Sequence, residues 1–148
     1  ETQSLKEIIS AVQVRLLKQA SNRTLEITFP DSEKLVKVDY GYLTAALELL
    51  INVISVRSGN NVVRIHAEEQ SGNCKVYFMD VDVDLAEAIR VKNCPHKEKL
   101  SGLRISSENI LRLYTALDLI QMQDIQVDLA DGLEGKQMVI LSVPAADS

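Results

Sequence analysis

Apolar positions along the chain change period several times, and each change marks an element. In S4-L-K-E-I-I-S-A-V-Q-V-R-L-L-K-Q-A20, Leu5, Ile8, Ile9, Val12 and Leu16 recur at helical spacing and make one apolar stripe. Ser4 with Glu7 three residues on has the form of a capping box. Leu25, Ile27 and Phe29 then alternate with Glu26 and Thr28, which predicts a half-buried strand ended by Pro30. Residues 35–38 read as a short second strand. Asp39 is placed to cap a helix over residues 40–56. That helix is apolar nearly all round and is expected to be central. Residues 62–69 and 74–80, separated by S71-G-N73, predict a hairpin. Residues 85–102 carry no period and read as irregular. A helix over residues 105–119 follows, then a closing hairpin of residues 124–129 and 136–143 around D131-G-L-E-G135.

Strands in this order come in antiparallel pairs rather than alternating singly with helices. The pattern predicts an α+β two-layer sandwich: a mixed, mainly antiparallel sheet with about three helices on one face. No internal repeat, linker or low-complexity stretch divides the 148 residues, so a single domain over 1–148 is expected. A chain of this size buries roughly 68–70% of its unfolded surface and needs no disulfide or metal to fold. Cys74 and Cys94 form no paired motif and are expected to be unpaired, as in a cytoplasmic protein. The chain opens on Glu1 rather than Met and is expected to be the C-terminal part of a longer protein.

Charge narrows the function classes. A net charge of −5 and the absence of Trp argue against a nucleic-acid partner, which would need a basic patch or a stacking platform. No apolar run approaches the ~18 residues of a membrane span, so direct membrane contact is not expected.

The chemistry-bearing positions are few. Glu48, Asn52 and Ser55 follow one another at spacings of four and three on the central helix and share one face. Such a stripe can be a solvent-facing edge. Asn52, however, sits among Leu49, Leu50, Ile51, Val53 and Ile54, where a carboxamide needs partners. A carboxylate one turn before a carboxamide also supplies oxygen ligands for a hard cation such as Mg²⁺. Asp80 ends V76-Y-F-M-D80 in phase with Val76 and Phe78, so its carboxylate is expected to face the inner layer. D80-V-D-V-D84 lacks the Gly and Glu of a calcium loop, whose positions hold Leu85 and Val91. His66 falls in mid-strand and His96 follows Pro95; neither sits in a phosphoacceptor context.

E48-L-L-I-N52, V76-Y-F-M-D80, S101-G-L-R-I105 and G135-K-Q-M-V-I-L-S-V-P144, in this order and spacing, resemble the ATP-binding catalytic domain of two-component sensor histidine kinases. That domain shares its fold with gyrase, heat-shock chaperone and mismatch-repair ATPases. The resemblance covers essentially the whole chain. It implies ATP and Mg²⁺ as cofactors, with Asn52 on the metal and Glu48 as the acidic residue that orients or activates the attacking group. It implies Asp80 as acceptor of the adenine amino group and Gly102 as the remaining glycine of a phosphate cradle. It also implies upstream dimerisation and histidine-phosphotransfer helices and a response regulator as partners in a phosphorelay.

The chain departs from that pattern where phosphates would lie. Asp82 and Asp84 stand at positions the family gives to glycine, Ser55 where it has a basic residue, and Arg104 at a glycine of the second cradle. Glycine lets backbone approach a nucleotide, whereas two carboxylates repel a polyphosphate by several kcal/mol per close contact at an effective dielectric near 20. Arg104 could offset them by pairing with the carboxylates or by meeting a phosphate. The expectation is a degenerate domain, a pseudokinase with weak or no ATP binding and a regulatory or docking role. The alternatives are an active catalytic domain that binds Mg·ATP and phosphorylates an upstream histidine, and a phosphotransfer protein that keeps the fold as scaffold.

Overall fold

In the computed structural model, residues 2–19, 24–28, 35–58, 62–70, 72–92, 102–132 and 134–146 are described. The elements are β1 (Thr2–Ser4), α1 (Leu5–Gln19), β2 (Thr24–Thr28), β3 (Leu35–Lys37), α2 (Tyr40–Ser58), β4 (Val62–Gln70), β5 (Asn73–Val81), α3 (Val83–Val91), α4 (Ser107–Gln121), β6 (Gln126–Asp131) and β7 (Gln137–Pro144).

Five strands form one sheet in the order β2-β4-β5-β7-β6. Alternation sorts its two faces. Val63, Ile65 and Ala67 of β4, Cys74, Val76 and Phe78 of β5, and Val139, Leu141 and Val143 of β7 are buried, while the residues between them are not. Helix α2 is the centre, as its all-round apolar sequence predicts. It packs on α1, on β4 and β5, and most extensively on α4. Leu43, Leu50, Ile51 and Ile54 are among its fully buried side chains. Local signals fix the helix starts. The Tyr42 amide donates to Asp39 Oδ1 at 2.9 Å, the Glu7 amide to Ser4 Oγ at 3.4 Å and the Asn109 amide to Ser106 Oγ at 3.1 Å.

The α+β sandwich stands as predicted, with three corrections. The sheet is mixed as expected, but its parallel member is β2, which pairs not with the next strand in sequence but with β4, Leu25 beside Val63 and Ile27 beside Ile65. Residues 35–37 leave the main sheet and pair with β1 in a separate two-stranded ribbon. Part of the segment read as irregular is helix α3, which makes four helices among the described residues. Its nine residues bury Leu85, Ala86, Ala88 and Val91, a spacing that runs in helical steps, and Asp82 caps it by accepting from the Leu85 amide at 2.9 Å. The Asp82 cap is what a reading of that residue as a displaced glycine overlooks. Lys92 fixes the far end to α4 through Asp118 at 2.6 Å, and the Tyr114 hydroxyl donates to the Ala88 carbonyl at 2.8 Å.

Cys74 is buried in the strand core; Cys94, His96 and the lysines at 97 and 99 lie outside the described residues. His66 is satisfied in mid-strand by Glu68 Oε2 at 3.2 Å. Among the described residues, no helix is long and apolar enough to cross a membrane.

Candidate functional site

Helix α2 delivers the candidate polar stripe, and its neighbours decide where the stripe's groups go. Glu48 lies on the turn that faces α1, and its side chain is only 12% exposed. Arg15 of α1 reaches it at 3.2 Å. Asn52, one turn on, is half-buried, and Ser55 is buried. The stripe is therefore covered rather than solvent-facing.

Asp80 does not face the inner layer. Strand β5 pairs regularly with β7 up to Phe78 opposite Val139, then resumes at Val81 opposite Gln137. That bulge inserts one residue, so the buried positions run 74, 76, 78 and then 81. Asp80 is thrown out of phase and meets Arg64, which projects from β4 between the buried Val63 and Ile65. The guanidinium grips it with two of its nitrogens, Nε to Oδ2 at 2.6 Å and Nη2 to Oδ1 at 2.5 Å. The Arg64 hydrogen bond holds the Asp80 carboxyl below its ordinary value of 3.8, against the upward pull of partial burial.

Two residues further on, a second arginine gathers the other end of the site. Arg57, in the last turn of α2, donates through Nε to Asp82 Oδ2 and through Nη1 to the backbone carbonyl of Arg104. Its Nη2 lies 3.5 Å from Asp84 Oδ2. One guanidinium thus joins the end of α2, the start of α3 and the loop that precedes α4. The side chains of Arg57 and Asp82 are 25% and 16% exposed, so this clasp is largely withdrawn from water. Around it lies a cleft of about 440 Å³ lined by Arg57, Asp82, Val83, Asp84, Glu134, Gly135 and Lys136. Arg64 instead borders a separate hollow of about 220 Å³ with Met79, Asp131, Gly132 and Met138. Glu48 and Asn52 line neither of these hollows.

Of the residues singled out in the sequence, the structure brings Arg104 to the clasp, through its backbone only. Gly102 lies two residues away in the same loop, at a position where an added Cβ would meet nothing within 4 Å. Glu48 and Asp80 are each engaged by an arginine of the chain. Among the described residues, no three His, Cys, Asp or Glu side chains are grouped to hold a metal. A nucleotide with Mg²⁺ is a poor fit to these groups: Asp80, the expected partner of an adenine amino group, is gripped by Arg64, and Asp82 and Asp84, expected beside the phosphates, are paired with Arg57. Arg57 and Arg64 are the residues sequence reading missed. Arg57 was within reach, as the only basic residue in the last turn of the central helix. Arg64 meets Asp80 only through the register Ile65 opposite Phe78.

No family model matches the chain, and no curated protein matches it by sequence. Solved structures do. The nucleotide-free catalytic domain of the histidine kinase ThkA superposes with a TM-score of 0.70 at 14% identity, covering 100% of this chain and 98% of that one. The mycobacterial sensor histidine kinase MprB gives 0.69 at 14% identity, covering 100% and 99%. The ATP-binding domain of PrrB from Mycobacterium tuberculosis gives 0.69 at 13% identity, covering 99% and 97%. The chain has the fold of histidine kinase ATP-binding catalytic domains.

Proposed function

We propose that this chain is a degenerate histidine-kinase-type ATP-binding domain, which binds Mg·ATP weakly or not at all and serves as a regulatory or docking module in two-component signalling. The observation that carries this reading is the Arg57 clasp. Asp82 and Asp84 occupy the phosphate end of the fold's cleft with negative charge, and the nearest guanidinium is spent on them rather than on a ligand. The grip of Arg64 on Asp80 adds to it, because it holds the carboxylate on the outer face of the sheet, away from the helix side where an adenine amino group would need it. On this reading Glu48, Asp80, Gly102 and Arg104 are remnants of a nucleotide site that the fold no longer assembles, and Asn52 is the α2 residue that would have met a metal. The partners on this reading are upstream dimerisation and phosphotransfer helices or a response regulator, in the cytoplasm.

Calorimetric titration with a non-hydrolysable ATP analogue and Mg²⁺ tests the reading, alongside melting curves. The expected result is no saturable heat at micromolar ligand and almost no rise in Tm at about 1 mM. A ligand at 100 times its Kd adds about 2.7 kcal/mol, which for a chain of this length raises Tm by several degrees. A micromolar Kd with such a rise would replace this reading with that of a working kinase.

A further inference from the structure

We infer that the cleft beside Arg57 is a self-capped anion site, in which Asp82 and Asp84 stand in for the oxyanions of a phosphate-class ligand. This rests on the proposed reading only for the expectation that a polyphosphate once lay there. A guanidinium presents paired donors in one plane, a geometry that suits carboxylate and phosphate oxygens equally well. In this chain Arg57 donates to the Asp82 side chain and to the Arg104 carbonyl and pairs with Asp84 at 3.5 Å. The remaining charged groups that line the cleft are Lys136 and Glu134 of the β6–β7 turn. Its lining therefore carries two cations, Arg57 and Lys136, against three carboxylates, Asp82, Asp84 and Glu134. Neutralising Asp82 and Asp84 inverts the balance to two cations against one carboxylate and frees Arg57 toward a volume of about 440 Å³. The aspartates are then not merely obstacles in glycine positions. They are competing ligands fixed in cis to the receptor, and the closed state also ties α2, α3 and the loop before α4 together.

The test uses inorganic tripolyphosphate as probe, without adenosine or Mg²⁺, in calorimetric titrations at low salt. Asp82→Asn with Asp84→Asn is the opening variant, because asparagine keeps an acceptor for the Leu85 amide and so preserves the α3 cap. It is expected to bind at least tenfold more tightly than the unmodified chain, with affinity falling as salt rises. Adding Arg57→Gln to that double variant should return affinity to the unmodified level. A charge-matched control on the sheet, Glu26→Gln with Asp128→Asn, should gain nothing. If the double variant is unstable by circular dichroism, Asp84→Asn alone, which touches no cap, should still gain about threefold.

Equal binding by the double variant and the triple variant overturns the inference, as does an equal gain in the control. Tight binding by the unmodified chain also overturns it, since the site would then be uncapped. Failure here is distinct from failure of the proposed function. An unmodified chain that binds Mg·ATP but refuses tripolyphosphate would overturn the degenerate reading and leave the capped site standing.

Discussion

Asp80 and Asp82 are separated by one buried valine, and each is held by an arginine, yet the two pairs differ in almost every physical respect. The Arg64–Asp80 pair sits on the sheet face away from the helices, with the arginine side chain 48% exposed. It joins two neighbouring strands already held by a ladder of backbone hydrogen bonds. The Arg57–Asp82 pair is mostly withdrawn from water and joins three elements that are remote in sequence. An ion pair in water returns little because screening and side-chain entropy offset its attraction. One withdrawn from water is costly to break, because removing a partner strands a charge. The same residue chemistry therefore gives a surface ornament at one position and a structural joint two residues later.

That contrast is open to direct attack. The largest expected effect is from Arg57→Ala, which leaves Asp82 and Asp84 without their counter-charge and the Arg104 carbonyl without its donor. Unfolding in urea should show a loss of about 1–3 kcal/mol. A loss below about 0.5 kcal/mol would make the clasp no more important than a surface pair. Arg64→Ala should cost clearly less than Arg57→Ala, and its effect should shrink as salt is raised from low ionic strength to about 0.5 M. A salt-insensitive loss as large as that of Arg57→Ala would erase the distinction between the two arginines.

The smallest effect is in pH. Because Arg64 depresses the Asp80 carboxyl in the folded chain below 3.8, the unfolded chain takes up that proton more readily. The pair's contribution is then full well above pH 3.8 and is lost as pH falls through the depressed folded value. The stability difference between the unmodified chain and Arg64→Ala should be constant from pH 7 to 5 and shrink steadily as pH falls through and below 3.8. A difference that grew on acidification would reverse the sign of the coupling.

Periodicity carried most of the architecture. The stripe of Leu5, Ile8, Ile9, Val12 and Leu16, the all-apolar α2 and both hairpins follow from local spacing, because one buried face imposes its repeat on the residues that line it. Helix α3 is hard to see for a related reason: its small core residues Ala86 and Ala88 give a weak apolar signal, and its cap, Asp82, stands at a position where the resembling family has glycine. The parallel partnership of β2 with β4 has no local signature at all, since it is made across an intervening helix. The candidate site was legible as a set of positions but not as a set of contacts. Asp80 was placed by strict alternation, and a one-residue bulge turned it to the other face. No spacing rule announces that Arg64 will be opposite it, or that Arg57 will fold back over Asp82.

The small ribbon of β1 and β3 has a mechanical consequence. Gln3 pairs with Val36 on one side, and Ala145 bridges Val36 on the other. The Ala146 amide extends that contact to the Leu35 carbonyl at 2.8 Å. Both flanking segments run antiparallel to β3 and therefore parallel to each other, so Thr2 lies beside Lys37 while Ala146 lies beside Leu35. Tension between the two ends of the described chain would pull the segments in opposite directions along β3, across hydrogen bonds that stand perpendicular to the strands. Those bonds would be loaded together in shear rather than peeled one at a time. The ribbon shares that load with the five-stranded sheet, to which the Ala145 amide is also tied through the Gly72 carbonyl at 3.2 Å.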